Sequence, residues 1–213
     1  MNISGVIFDL DGVLCNTDEY HYRAWKATAE SLGIPFDRTV NNRLRGISRM
    51  ASLDVILEQY QGDPLSDAEK AELADEKNEL YKKYLEQMSE RDLSDEVKTV
   101  LDTLRKRNYR LAVGSSSKNT WFILQQLGLN GYFDAVSDGN NITRSKPDPE
   151  VFLNASGMLC IPPENCLVVE DAVAGAEAGH AGGMKVACLG DASKAGAGDF
   201  NMKGIMDLLE ILK

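Results

Sequence analysis

The chain has 213 residues, of which 43% are hydrophobic, so it can bury one large core and a small second one. A net charge of −10 and a pI near 4.7 argue against nucleic acid or an anionic membrane as a partner. The chain has no apolar stretch of membrane-spanning length and no basic, signal-like start, which predicts a cytoplasmic protein. The cysteines lack disulfide or metal-site spacing and are predicted to be free thiols: Cys15, Cys160, Cys166 and Cys188.

Five short apolar runs, rich in β-branched residues, predict the strands of a sheet: Gly5–Asp9, Arg110–Ser115, Ala135–Ser137, Cys166–Glu170 and Lys185–Leu189. Helical segments separate most of these runs, which is the pattern of a doubly wound, Rossmann-like parallel sheet with helices on both faces. Apolar residues at helical spacing predict a helix over Asp95–Arg107. Further helices are expected over Lys118–Leu127 and Asp148–Gly157, with Gly128 and Gly157 as C-terminal stops.

The segment between the first two predicted strands has a different character. Residues 16–90 are rich in helix formers and charge, contain no convincing strand and include the long helical stretch Ser66–Gln87. An all-helical insertion at this point predicts a cap that excludes water from a site and contributes substrate-selecting residues. We therefore expect an α/β core domain from residues 1–15 and 91–213 and a helical cap domain from residues 16–90. Near the C-terminus, the Gly/Ala-rich stretch Gly190–Gly198 is predicted to be a surface loop.

Two pairs of carboxylates stand at the ends of predicted strands. Asp9 ends the first strand, the alternation of a strand would put the Asp9 and Asp11 side chains on one side, and the chain then turns at Gly12. Glu170 ends the fourth strand and Asp171 comes next, and the carboxyl ends of such strands are where an open α/β sheet binds its ligand. Two carboxylates about 4 Å apart repel by roughly 4 kcal/mol at an effective dielectric of about 20. A hard divalent cation relieves this repulsion, so the pattern predicts a Mg²⁺ site.

Four motifs stand at strand ends in the order that a doubly wound sheet would bring together: Asp9-Leu10-Asp11-Gly12-Val13, Ser115, Ser145-Lys146-Pro147-Asp148-Pro149 and Glu170-Asp171. This set resembles the haloacid dehalogenase superfamily of phosphoryl-transfer enzymes over essentially the whole chain. The resemblance implies that Asp9 is the nucleophile that becomes an aspartyl phosphate and that Asp11 is the general acid/base. Lys146 and the Ser115 hydroxyl are expected to hold phosphate oxygens. The implied magnesium ligands are Asp9, the main-chain carbonyl of Asp11, and Asp171, with Glu170 close by.

A second layer of motifs narrows the resemblance. The segments Thr17–Lys26, Leu44–Arg49 and Ser115–Asn119 are similar to those of the β-phosphoglucomutase family. That family interconverts β-glucose 1-phosphate and glucose 6-phosphate through β-glucose 1,6-bisphosphate. A mutase must bind one phosphate for transfer and hold a second, non-reacting phosphate at the cap while the intermediate reorients. The implied partner is therefore a small sugar phosphate bound by a monomeric enzyme.

Particular cap and loop residues acquire roles from this resemblance. Thr17 and His21 lie where the cap joins the core, and His21 is expected to couple cap closure to the placement of Asp11. The Arg49 guanidinium suits the distal phosphate because it binds phosphate oxygens in a bidentate manner. The full set of implied substrate-binding residues is Arg45, Gly46, Arg49, Ser52, Ser116, Ser117 and Asn119.

Two departures from the family pattern and several rival functions remain open at this point. Arg45 stands where lysine is common, and Asn16 stands where aspartate is common, which affects the identity of the sugar more than the reaction type. A sugar-phosphate phosphatase would use the same Asp9 and Asp11 with water as the acceptor, but it would not need the residues that retain a bisphosphate, which are His21, Arg49, Ser117 and Asn119. A mutase for another hexose or disaccharide phosphate is open under the same architecture. A dehalogenase has no need of the second aspartate, and a non-catalytic sensor on this fold would have lost part of the motif set.

Overall fold

The computed structural model describes residues 2–44 and 47–213. One parallel sheet has the strand order β3-β2-β1-β4-β5-β6. The strands are β1 (Gly5–Phe8), β2 (Arg110–Gly114), β3 (Ala135–Ser137), β4 (Cys166–Glu170), β5 (Lys185–Cys188) and β6 (Phe200–Asn201). The five predicted strands are confirmed, and three of them end one residue earlier than expected. The edge strand β6 was missed because its two residues carry no apolar run.

Helices cover both faces of the sheet and fill the chain between β1 and β2. In the described part of the chain they are α1 (Asp18–Ser31), α2 (Arg38–Asn42), α3 (Arg49–Leu57), α4 (Asp67–Leu85), α5 (Asp95–Lys106), α6 (Thr120–Gln126), α7 (Glu150–Leu159), α8 (Val173–Ala181), α9 (Gly190–Lys194) and α10 (Leu208–Ile211). Among the described residues, none of these helices combines the length and apolar character that crossing a membrane requires. The predicted doubly wound fold with an inserted helical segment is confirmed.

Two local predictions were wrong. Gly157 lies inside α7 rather than at its end, and the left-handed residue that stops this helix is Cys160, with φ of 56°. The space around Gly157 is open, so the helix tolerates it at only the entropic cost of a glycine. The stretch Gly190–Gly198 is not a loop throughout, because it contains α9 with Ala192 fully buried. Alanine is the strongest helix former, so a Gly/Ala-rich composition alone did not distinguish loop from helix.

The strand β1 explains where the core lies. Val6 and Phe8 pack into one hydrophobic cluster with residues of α5 and α6, whereas Ile7 packs on the opposite face with residues of α7 and α8. β1 pairs with β2 on one side and with β4 on the other, both in parallel. The chain runs outwards in opposite directions from these central strands, and this reversal leaves a crevice at the carboxyl ends of β1 and β4.

Three of the helices that precede α5 form a small core of their own. Residues 16–90, called the cap below, bury a cluster that joins α1, α3 and α4 through Trp25, Leu53 and Ala74. The long helix α4 begins at a capping box in which Ser66 and Glu69 satisfy each other's backbone N–H groups. This packing positions α3 and α4 above the crevice of the sheet, opposite the residues that follow β1 and β4.

Candidate active site

Three carboxylates meet at the crevice. Oxygens of Asp9, which follows β1, and of Glu170 and Asp171, at the end of β4, lie within 4.8 Å of one another. The Lys146 ammonium donates to Asp9 Oδ1 and to Glu170 Oε1, each at 2.5 Å, and all three of these side chains are buried. The sheet therefore brings together four of the residues that the sequence analysis selected, in a single charge cluster.

Two glycines allow the carboxylates to approach this closely. Gly12 has a φ of 85°, and a Cβ at this position would collide with the Asp171 carboxylate. Gly175, on α8, lies equally close to the Glu170 carboxylate. Only glycine combines the left-handed backbone with the missing side chain that Gly12 requires. The glycine of the first motif is thus explained by the packing of a neighbouring acid.

Burial and neighbouring charges shift the pKa values in this cluster. Burial raises the pKa of Asp9 well above its usual value, outweighing the attraction of Lys146, and repulsion from Glu170 raises it further. Burial disfavours the charged form of Lys146, yet the attraction of Asp9 and Glu170 raises its pKa overall. Three clustered carboxylate oxygens are the hard ligands that a divalent cation prefers, so the residues present fit a Mg²⁺ ion.

Asp11 occupies a different environment. Strand alternation predicted Asp9 and Asp11 on one side of β1, but the strand ends at Phe8 and the chain turns. Both aspartates line the same cavity, and the Asp11 carboxylate accepts a hydrogen bond from the hydroxyl of Thr17, which is fully buried before α1. Burial raises the pKa of Asp11, and the Thr17 hydrogen bond partly opposes that rise. The Thr17 hydroxyl therefore fixes the orientation of the Asp11 carboxylate.

One cavity of about 890 Å³ lies between the crevice and the cap. Every predicted site residue that the structure describes lines this cavity, except Thr17. Arg45 and Gly46, which were predicted to bind substrate, lie outside the described residues. The cavity joins the carboxylate cluster at its core end to Arg49 and Ser52 of α3 at its cap end. Its two ends therefore differ in charge.

The loop after β2 forms one wall of the cavity. The Ser115 hydroxyl accepts from the backbone N–H of Ser117 at 3.1 Å, and the Ser117 hydroxyl accepts from that of Asn119 at 3.2 Å. The Asn119 amide nitrogen donates to Asn78 Oδ1 of the cap at 2.9 Å. The Ser116 hydroxyl is buried and has no hydrogen-bond partner among the described residues, which leaves it available to a ligand.

The cavity residues of the cap that the sequence analysis missed include three on α4, namely Lys77, Asn78 and Tyr81. His21 Nδ1 lies 2.9 Å from the Lys77 ammonium, and the His21 ring stacks on Tyr81 with centroids 4.0 Å apart. Burial lowers the pKa of His21 well below its usual value and brings that of Lys77 to about 7, and the charge of Arg49 lowers both. His21 is therefore neutral at physiological pH.

A sequence signal for these residues exists in α4. Its buried positions are Ala74, Lys77, Asn78, Tyr81 and Leu85, which follow the i, i+3, i+4, i+7 spacing of an inward face. A lysine and an asparagine on such a stripe are exceptions to the rule that apolar residues fill it. Buried polar residues of this kind require partners, and the partners lie on α1 and in the loop after β2.

Comparison with known proteins assigns the family. The model of the haloacid dehalogenase-like hydrolase family matches residues 3–183. The chain belongs to this family. A β-phosphoglucomutase from Bacillus subtilis is 39% identical over 99% of this chain and 94% of the relative. The fructose-1-phosphate phosphatase YqaB from Escherichia coli is 32% identical over 85% of this chain and 93% of the relative.

The structural comparison agrees with the sequence comparison. The crystal structure of β-phosphoglucomutase from Clostridium difficile superposes with a TM-score of 0.92 and 34% identity, covering 99% of this chain and 95% of the other. The predicted resemblance is thereby confirmed: the chain is an enzyme of the haloacid dehalogenase-like family and a member of its β-phosphoglucomutase group.

Proposed function

We propose that the chain is a magnesium-dependent β-phosphoglucomutase that interconverts β-D-glucose 1-phosphate and glucose 6-phosphate. One observation carries the proposal, namely that a single cavity has a carboxylate end at Asp9 and a cationic end at Arg49. A phosphatase needs only the first of these ends. A bisphosphate intermediate needs both, because its two phosphates must be held while either one reacts.

Asp9 and Asp11 receive different roles from their environments. The proposed nucleophile is Asp9, whose carboxylate would attack the phosphorus, while the sugar oxygen leaves as Asp11 protonates it. Asp11 is supported in that role because burial raises its pKa and favours the protonated carboxyl that a general acid requires. In the second half-reaction, Asp11 would take the proton from the attacking sugar hydroxyl. Lys146 lies against Asp9 and would neutralise charge on the transferring phosphoryl group.

The magnesium ligands proposed here are Asp9, the main-chain carbonyl of Asp11, and Asp171, with Glu170 close by. Magnesium at this position would neutralise charge on the phosphoryl oxygens and on the clustered carboxylates. The clustering of three carboxylate oxygens within 4.8 Å supports this assignment.

The distal phosphate is assigned to the other end of the cavity. Arg49 is held by a hydrogen bond from its Nη1 to Asp75 at 3.2 Å, which leaves the rest of its guanidinium fork for phosphate oxygens. Ser117 and Asn119 would complete this cradle from the core, and Ser52, Ser116, Arg45 and Gly46 would contact the sugar. We further propose that residues 16–90 move as the cap, with Thr17 and His21 transmitting closure to Asp11 so that sugar rather than water accepts the phosphoryl group.

The decisive assay supplies β-glucose 1-phosphate, Mg²⁺ and a trace of the bisphosphate, and follows glucose 6-phosphate and free phosphate together. A mutase produces glucose 6-phosphate as the main product. If free phosphate is instead the main product, the enzyme is a sugar-phosphate phosphatase, the activity named for its relative from Escherichia coli. Parallel assays with other hexose and disaccharide phosphates then identify the preferred sugar.

The role of Asp9 is tested by Asp9→Asn, which is expected to abolish both phosphoenzyme formation and turnover. Asp95→Asn, at an exposed position at the start of α5, is the matched control. Substantial residual turnover in the Asp9 variant would remove this residue from its proposed role as nucleophile.

We place the enzyme in the cytoplasm as a monomer that acts on a small sugar phosphate without nucleic acid or membrane partners.

A further inference from the structure

Helix α6 of the core and helix α4 of the cap are joined by side chains at both ends. At one end, Asn119 immediately precedes α6 and donates its amide N–H to Asn78 Oδ1 of α4 at 2.9 Å. At the other end, Gln126 closes α6 and directs its amide nitrogen at the end of α4. The carbonyl oxygens near Gln126 Nε2 are those of Leu85 at 3.3 Å, Glu86 at 3.5 Å and Met88 at 3.3 Å.

The two connections differ in how much rotation they tolerate. The last carbonyls of a helix have no partner within the helix, and Gln126 offers its amide hydrogens to those at the end of α4, where Leu85 O also accepts from the Met88 backbone N–H at 3.0 Å. One amide nitrogen has two hydrogens and faces three carbonyls, so it exchanges acceptors and stays bonded when α4 turns slightly. Asn119 makes one hydrogen bond of 2.9 Å to Asn78, and the part of the chain that the structure describes offers its amide nitrogen no second acceptor. The Gln126 end therefore suits a pivot, whereas the Asn78 end suits a contact that forms and breaks.

The spacing of the two ends converts a small rotation into a large displacement. Asn78 and Leu85 lie seven positions apart on α4, and Asn119 and Gln126 lie seven positions apart along α6. At 1.5 Å per residue, the two connections are about 10 Å apart. A rotation of about 20° at the Gln126 end then moves Asn78 by about 3 to 4 Å, which is enough to break its hydrogen bond.

The Asn78–Asn119 bond also controls which atoms face the cavity. An amide nitrogen carries two donors, so Asn119 can give one hydrogen to Asn78 and still point the other at an anion. Without Asn78 as an acceptor, the Asn119 amide is free to turn its carbonyl oxygen towards that anion, which repels it. Asn78 is itself buried and lines the cavity.

We propose that Asn78 is a positioning residue, which orients the Asn119 amide for phosphate in the closed cap. When α4 rotates about Gln126, the hydrogen bond between Asn78 and Asn119 breaks and the cap opens. Occupancy of the cavity is then linked to closure, because a phosphate oxygen and Asn78 each bind one hydrogen of the same amide. The substrate part of this inference rests on the proposed function, which assigns Asn119 to the non-transferred phosphate. The pivot part does not.

The pivot is tested on the ligand-free protein by amide hydrogen exchange. Gln126→Ala is expected to accelerate exchange over residues 85–88, and Asn78→Ala to accelerate it over residues 115–119 while leaving 85–88 unchanged. Glu76→Ala changes an exposed residue of the same helix and is the matched control. If the amides of residues 115–119 exchange at the same rate in Asn78→Ala and in Glu76→Ala, the link between cap and loop is absent and the proposal is overturned.

Positioning is tested by a double-mutant cycle on the KM for β-glucose 1-phosphate. Asn78→Ala is expected to raise KM about tenfold, the equivalent of one lost hydrogen bond, with kcat changed less. In the Asn119→Ala background the same change should have no further effect, because Asn78 acts only through Asn119. If the two effects multiply instead, the role of Asn78 is merely structural. If the wild type yields no glucose 6-phosphate, the proposed function fails, and the exchange experiment still decides whether the pivot exists.

Discussion

Replacing the buried Lys77 is expected to change the free energy of unfolding and its dependence on pH. Lys77 lies on the inward stripe of α4, with its ammonium over the rings of Trp25 and Tyr81 and 2.9 Å from His21 Nδ1. Burial, with repulsion from Arg49, lowers the pKa of Lys77 from 10.5 to about 7. Because the unfolded chain holds this proton up to a higher pH, the wild type gains stability as the pH rises from about 7 towards 10.5.

The size of the effect follows from that difference in pKa. Folding at these pH values requires the chain to release the Lys77 proton. Linkage gives this release a free-energy cost of about 4 kcal/mol at pH 7.5 and about 1 kcal/mol at pH 9.5. In Lys77→Met this cost is absent, while the hydrogen bond to His21 is also lost, at about 1 kcal/mol. The variant is therefore expected to be more stable than the wild type by about 3 kcal/mol at pH 7.5, and the two proteins to be nearly equal at pH 9.5.

Urea unfolding of both proteins at pH 7.5, 8.5 and 9.5 measures this convergence. Lys83→Met replaces an exposed lysine of the same helix and controls for the general effect of methionine in α4. A difference in unfolding free energy between Lys77→Met and the wild type that stays constant within about 0.5 kcal/mol over this range would refute the reasoning.

Three further changes have definite outcomes. Gly12→Ala is expected to lower the free energy of unfolding by at least about 1 to 2 kcal/mol, because φ is 85° and the new Cβ meets Asp171. Urea unfolding measures this change, and an unchanged midpoint contradicts it. Arg107→Met removes two 2.9 Å hydrogen bonds to carbonyls of the C-terminal helix and should cost about 1 kcal/mol, again by urea unfolding. Burial of Asp199 raises its pKa, but hydrogen bonds, first that from Lys185, outweigh burial and lower it overall. Asp199→Asn should therefore be less stable than the wild type at pH 7, and the two should converge below pH 3.8 in thermal unfolding.

Much of the core was predictable because its signals are local. The runs Gly5–Phe8 and 166–169, which precede Asp9 and Glu170, are continuous, apolar and buried at every position, and each ends where the acids begin. The carboxyl ends of parallel strands share one edge of a sheet, so the order of motifs along the chain was enough to group their residues. The places where prediction failed, such as Gly157 and α9, are those where composition alone does not distinguish a helix from a loop.

The sequence by itself determined the sheet, the acidic cluster and the separation of Asp9 from Asp11 into two proposed chemical roles. Only the tertiary structure decided what surrounds them. Lys146 reaches Asp9 across 137 positions of sequence, and Asn78 meets Asn119 across 41. The periodicity of α4 marks Lys77 and Asn78 as inward-facing, but not whether that face meets an apolar core or a cavity. The answer depends on how the cap packs over the crevice, which is a long-range property that no local pattern encodes.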